Sequence, residues 1–106
     1  MQYRVCVYAI CKNEGKFVER WMRSMAEADE IYVLDTGSTD GTPEQLRALG
    51  AFVTEERISP WRFDTARNRS LELVPEDADI CVCTDLDEVF RPGWRAALEA
   101  AWTENT

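Results

Sequence analysis

The chain has 106 residues, with 12 Lys and Arg against 20 Asp and Glu, a net charge of −8 and no histidine. That length suits one domain with a real hydrophobic core. The acidity excludes general nucleic-acid binding, which runs on Lys and Arg neutralising phosphates, and argues against docking on anionic lipid.

No stretch approaches membrane-spanning length, and Met1 to Arg4 show no charged leader ahead of a long apolar run. A cytoplasmic location is expected, and the inner face of a membrane is compatible with it. Cys6, Cys81 and Cys83 fall inside predicted strands and Cys11 lies just past one. With no Cys-x-x-Cys pair and no histidine, a zinc site is not expected. The four thiols are expected to be reduced and buried.

The first predicted strand runs from Tyr3 to Ile10, apolar on both faces as a central parallel strand should be. Asn13 is placed to cap a helix whose Phe17, Val18, Trp21, Met22 and Met25 form one apolar stripe. A second strand spans Glu30 to Leu34 and ends in a polar turn holding two glycines. Thr42, Pro43 and Gln45 form a capping-box pattern for a short helix, and Gly50 ends it. Ala51 to Glu55 reads as the third strand. A loop with Ser59, Pro60 and Trp61 leads into a helix from about Asp64 to Val74, with Phe63, Ala66, Ser70, Leu73 and Val74 inward. Asp79 to Thr84 is the fourth strand. Pro92 then opens a last helix with Trp94, Leu98, Ala101 and Trp102 facing the core. Strands alternating with helices predict an α/β fold built on a parallel sheet.

Two strand ends carry carboxylates. The fourth strand runs into Asp85-Leu86-Asp87-Glu88, an anionic claw at the edge where open α/β sheets bind ligands. Carboxylates without histidine suit a hard divalent ion, Mg²⁺ or Mn²⁺, whose shell is completed by substrate phosphates. A bare phosphate beside one carboxylate, about 4 Å away, costs roughly 4 kcal/mol at an effective dielectric of about 20. A diphosphate would therefore arrive with its cation. The second strand runs into Asp35-Thr36-Gly37-Ser38-Thr39-Asp40-Gly41-Thr42, where glycines let backbone approach a ligand and Asp35 could accept hydrogen bonds from a base or ribose. By itself such a stretch is more often only a turn.

In this order the motifs resemble the nucleotide-sugar-binding half of family 2 glycosyltransferases, which have the GT-A fold. Cys11-Lys12-Asn13-Glu14 looks like the family's first donor-binding loop. Asp35 to Thr42 is close to its Val-Asp-Asp-Gly-Ser-Thr-Asp-Gly-Thr signature, with Thr36 in place of the second Asp. Ala66-Arg67-Asn68 with Ser70-Leu71 is similar to its Ala-Arg-Asn-x-Gly-Leu helix, with Ser for Gly. Asp85-Leu86-Asp87 resembles its DxD motif.

The resemblance implies a truncated GT-A, Rossmann-like three-layer sandwich, with residues 1–106 forming the donor-binding part and the acceptor-binding part absent. It implies that Asn13, Glu14, Asp35, Thr36 and Ser38 line a pocket for the nucleoside and that Arg67 reaches the nucleotide. Asp85 would contact the ribose or a metal-bound water, and Asp87 would ligate Mg²⁺ or Mn²⁺ on the donor diphosphate. Glu88 would support them. The implied reaction is inverting transfer of a sugar from a nucleoside-diphosphate sugar, UDP-linked as first choice, to a glycan or lipid-linked acceptor. Trp61-Arg62-Phe63-Asp64 resembles a subgroup associated with bacterial surface glycans. The general base is expected downstream of residue 106, with Asp64 and Glu88 candidates only by type. A half-domain of this kind is expected to expose apolar surface and a bare strand edge, which favour a homodimer.

Three other readings compete. Asp-Leu-Asp-Glu-Val-Phe imitates the first motif of haloacid-dehalogenase-type phosphatases, with Asp85 as nucleophile and Asp87 as acid/base, but that motif normally opens its domain. A sugar-nucleotide binding module without turnover is the second. A nucleotidyltransferase would need a Gly-rich basic loop after the first strand, which Cys11 to Gly15 is not.

Overall fold

The computed structural model describes residues 3–59 and 62–105. Four strands, β1 (Val5–Cys11), β2 (Glu30–Asp35), β3 (Phe52–Glu55) and β4 (Ile80–Cys83), alternate with helices α1 (Gly15–Met25), α2 (Thr42–Ala48), α3 (Phe63–Glu72) and α4 (Trp94–Asn105). The sheet is parallel throughout, in the order β3-β2-β1-β4. The expected α/β architecture with a four-stranded parallel sheet and flanking helices is present, and β1 is central.

The order explains the layers. Chain progress from β1 to β2 to β3 steps one way across the sheet, whereas β3 to β4 crosses back over β2 and β1. Right-handed crossovers therefore put α1 and α2 on one face and α3 on the other. The first face holds the main core. Val7, Ala9, Cys11, Ile31 and Val33 pack there with Val18, Trp21, Met22 and Met25 of α1 and Leu46 of α2. The predicted apolar stripe of α1 is thus the stripe that is buried. On the opposite face α3 presents two small residues a helical turn apart, Ala66 and Ser70, both buried. Small side chains there let the helix lie close to β1 and β2, which accounts for Ser in a position where bulk would not fit.

Several local expectations are corrected. Asn13 does not cap α1: Glu14 is the N-cap and its side chain accepts no capping bond, while Asn13 sits at φ 53°. Thr42 lies inside α2, and Gly41, at φ 85°, is the N-cap. The carboxylate of Asp40 does both jobs. Its Oδ1 accepts from the Thr42 N–H at the start of α2, and its Oδ2 accepts from the Gly15 N–H at the start of α1. Two helix ends converge on one acid because β1 and β2 are neighbours, which no spacing within a single helix reveals. Gly15 permits that convergence, since a Cβ there would stand 2.9 Å from Gln45 Nε2 and 3.2 Å from Asp40 Oδ2.

Cys6 and Cys11 are buried, but Cys81 and Cys83 are exposed. They alternate onto the α3 face of β4, an edge strand that α3 does not cover. Phe52 of β3, on the same face, is 54% exposed and stacks on Tyr32 at 5.1 Å. Phe63 is also exposed rather than inward, for it lies at the rim of the cleft described below. In α4, Trp94 and Leu98 are half-buried while Ala101 and Trp102 are exposed. The helix is held chiefly at its start. Trp94 Nε1 donates to the Ser24 carbonyl, and the Arg95 guanidinium makes paired bonds to the Asp29 carboxylate at 3.0 and 2.8 Å. Pro60 and Trp61 lie outside the described residues.

Candidate functional site

The carboxyl ends of all four strands face one edge. Because the chain runs outward from β1 in one direction and then returns to β1's other side, β1 and β4 border the point where strand order reverses. Open α/β sheets leave a crevice for ligands there. A cleft of about 650 Å³ occupies this edge, lined by residues from every strand end, among them Lys12, Glu14, Thr36, Arg57, Phe63 and Asp85.

The loops after β1 and β2 form one unit. Thr36 donates both its N–H and its hydroxyl to the Cys11 carbonyl. The Asn13 N–H donates to Ser38 Oγ at 2.7 Å, and Asn13 Oδ1 accepts from the Thr39 N–H at 2.7 Å. The Glu14 N–H donates to Thr42 Oγ1. Asn13 and Ser38, both expected to touch ligand, therefore act in the structure as fasteners between the loops. The left-handed backbone at Asn13 fits this role, because Asn tolerates that region better than most residues.

Asp35 reaches the expected edge, yet its carboxylate turns inward and is only 1% exposed. Oδ1 accepts from the N–H groups of Gly37 and Ser38 at 2.9 and 2.8 Å, and Oδ2 accepts from the hydroxyl of Ser38 at 2.6 Å and the thiol of Cys11 at 3.4 Å. Burial alone would push this carboxyl up, but the Ser38 and Gly37 donors outweigh it and hold it below the usual range. Burial and the adjacent Asp35 charge push the Cys11 thiol strongly up, so it is a neutral donor. Asp35 organises its turn; Thr36 and Gly37, which it holds in place, line the cleft.

The end of β4 behaves in the opposite way. Leu86 is fully buried in the main core, and Asp85 and Asp87 on either side of it are exposed. Burying one leucine is worth about 1.5–3 kcal/mol, which anchors a turn that holds two carboxylates out in solvent. Glu88 folds back, its Oε1 accepting from the Asp85 N–H at 2.8 Å and the Thr84 hydroxyl at 3.3 Å. It supports the turn. Arg20 of α1 donates to the Asp87 carbonyl at 3.4 Å and steadies the loop from below.

Glu14, from the β1 loop, completes an acidic corner. Its carboxyl is pushed up by burial first and then by the charges of Asp87 and Asp85 beyond the end of β4. Among the described residues no group of three His, Cys, Asp or Glu side chains is arranged to hold a metal unaided. The corner instead fits a hard cation that brings its own ligands: one or two carboxylates plus phosphate oxygens is the usual Mg²⁺ arrangement.

Arg67 leaves α3 beside Phe63 and does not itself line the cleft. Its guanidinium lies 4.7 Å from the centroid of the Phe63 ring, and its buried Nε has no hydrogen-bond partner among the described residues. Sequence reasoning missed Arg57, Ile58, Ser59 and Phe63 as cleft residues. The signal was available: Arg57 stands two residues past β3, and every strand of a parallel sheet ends at the ligand edge.

Comparison with known proteins agrees with this geometry. A mannosyltransferase from Pyrobaculum calidifontis, solved in complex with GDP-Man and Mn²⁺, superposes with a TM-score of 0.75 at 28% identity, over 96% of this chain and 32% of that one. Glucosyl-3-phosphoglycerate synthase from Mycobacterium tuberculosis, solved with Mn²⁺, UDP and glucosyl-3-phosphoglycerate, gives a TM-score of 0.67 at 30% identity, over 80% of this chain and 34% of that one. An uncharacterized protein of Mycobacterium tuberculosis is 29% identical over 104 residues, which is 97% of this chain and 24% of that protein. The chain thus spans about a quarter to a third of the proteins it matches. Residues 6–106 match the model of the glycosyl transferase family 2, and the phosphatase and nucleotidyltransferase readings fall away: the chain belongs to that family.

Proposed function

We propose that this chain binds the nucleoside-diphosphate part of a sugar donor, UDP-linked in the first instance, together with Mg²⁺ or Mn²⁺. The protein it represents would transfer the sugar to an acceptor hydroxyl with inversion. The observation that carries this reading is the pair of outward carboxylates, Asp85 and Asp87, beside Glu14 at the strand-order reversal. Asp87, with Asp85, would hold the cation, and the cation would offset charge building on the leaving diphosphate. The relatives solved with Mn²⁺ and GDP-Man or UDP support the same reading.

This chain's own residues then have separable tasks. Thr36 and Gly37 offer a close-packed backbone floor for the nucleoside, fixed by Asp35. Lys12 faces the phosphates from the β1 loop. Arg67 braces Phe63 at the cleft rim and reaches toward the nucleotide from below. The general base is assigned to none of them, because Glu88 is spent on its own turn and Asp64 is paired with Arg62 at the surface. A glycan or lipid-linked acceptor, a role in bacterial surface-glycan synthesis and a cytoplasmic site belong to this proposal as well.

The test is a titration of the chain with UDP in Mn²⁺ and again in EDTA, by calorimetry. Binding in Mn²⁺ is expected to weaken at least tenfold, equivalent to about 1.4 kcal/mol, both in EDTA and in Asp87→Ala. Equal affinity with and without the metal would contradict the cation bridge.

A further inference from the structure

Most of the arginines in this acidic chain are matched to acids. Arg4 pairs with Glu30 and Asp77, Arg47 with Glu55, Arg69 with Glu56 and Glu72, and Arg95 with Asp29 and Glu99. Arg57, Arg67 and Arg91 have no hydrogen-bond or carboxylate partner for the guanidinium among the described residues, although the chain carries an excess of acid, and of the three it is Arg57 that lines the cleft. Its stem lies along Gly37: a Cβ on that glycine would stand 3.6 Å from Arg57 Nε and 3.8 Å from Cγ. The fork of the guanidinium is thus held over the β2 loop with its donors unspent.

Position decides what those donors could meet. Arg57 follows β3 and Asp85 follows β4, the two outer strands of the order β3-β2-β1-β4. They are separated by three strand spacings, about 14 Å at the usual interval. The Arg57 guanidinium, over the β2 loop, is still about two strand spacings, roughly 10 Å, from the β4 end, on the nucleoside side of a diphosphate whose cation sits on Asp85 and Asp87. The part of an extended nucleotide that reaches the β3 end is the base. Ile58 and the exposed Phe63 flank Arg57 there, giving apolar wall for a flat ring. A guanidinium only donates, so the edge of the ring it meets must accept.

We infer that Arg57 is a specificity-determining residue that selects donors whose base presents a ring carbonyl, such as uracil, over those presenting an amino group at the same position, such as cytosine. The inference rests on the donor-binding reading above and sharpens it. A site whose donor is left facing an amino group loses the bond and keeps the desolvation cost, which is how hydrogen-bonding pockets reject close analogues.

UDP and CDP differ at that ring position and serve as the probes. In Mn²⁺ the unmodified chain is expected to bind UDP at least tenfold more tightly than CDP. Arg57→Ala should bring that ratio to within about twofold while keeping the dependence on Mn²⁺, whereas Lys12→Ala should weaken both nucleotides alike and preserve the ratio. Equal weakening of UDP and CDP in Arg57→Ala would overturn the inference and make Arg57 a general anion attractor. An unchanged ratio in that variant would overturn it too, leaving donor binding intact. Failure of the unmodified chain to bind either nucleotide in Mn²⁺ would remove the donor reading and this inference together.

Discussion

Asp35 and Asp87 follow β2 and β4, on either side of β1 at the same sheet edge, and have the same side chain, yet they are used in opposite ways. Asp35 is sunk in a turn with its oxygens accepting from Gly37, Ser38 and Cys11. Asp87 stands in solvent beside a leucine that is buried in its place. The lesson is that an acid at a ligand edge is committed to ligand only if the local backbone leaves its lone pairs free. After β2, Gly37 and Ser38 curl back so that their N–H groups point at the carboxylate. After β4, alternation of the chain sends Leu86 inward and both acids outward.

Substitutions separate the two uses. Asp35→Ala is expected to cost the most stability, about 3 kcal/mol, because buried donors lose a charged acceptor; urea denaturation measures it. The pH dependence has a definite sign. The folded-state carboxyl lies below its unfolded value of about 3.9, so its stabilisation is complete above that pH and is lost as pH falls through the folded value. Asp35→Asn should flatten that acid limb of the stability curve, and an unchanged limb would show that Asp35 does not contribute to it.

Asp87→Asn should do the reverse. Unfolding free energy should stay within about 0.5 kcal/mol of the parent, while UDP affinity in Mn²⁺ drops about tenfold, or roughly 1.4 kcal/mol. A variant that melted early with its nucleotide affinity intact would make the β4 turn structural, like its neighbour. Asn13→Ala lies between them. Loss of the acceptor for the Thr39 N–H should cost about 1 kcal/mol and should also lower UDP affinity, since it loosens the loop that carries Glu14 and Lys12. The smallest effect is expected at the uncovered end of the sheet. Cys81 and Cys83 should react promptly with a thiol reagent and Cys6 and Cys11 only on unfolding, and Cys81→Ser should change stability by less than about 0.5 kcal/mol.

Much of this could be read in advance. The β/α alternation, the apolar stripe of α1, the glycine that ends α2 at Gly50 and the acidic ends of β2 and β4 all follow from local pattern. They are properties of residues near one another in the chain, where periodicity and turn chemistry act directly. The capping assignments at Asn13 and Thr42 failed for the complementary reason: the acid that caps both helices reaches one of them across a gap of 25 residues. Thiol burial at Cys81 and Cys83 failed because an apolar strand looks the same whether or not a helix covers it.

The amino-acid sequence by itself determined the class of fold and the chemical type of the acidic edge, since these depend on composition and short-range spacing, and its motifs carried the resemblance to the family. Only the tertiary structure decided which acids face outward and that Arg57 and Phe63 share a cleft with Glu14 and Asp85. Strand order sets those distances, and strand order arises from packing among segments far apart in the chain.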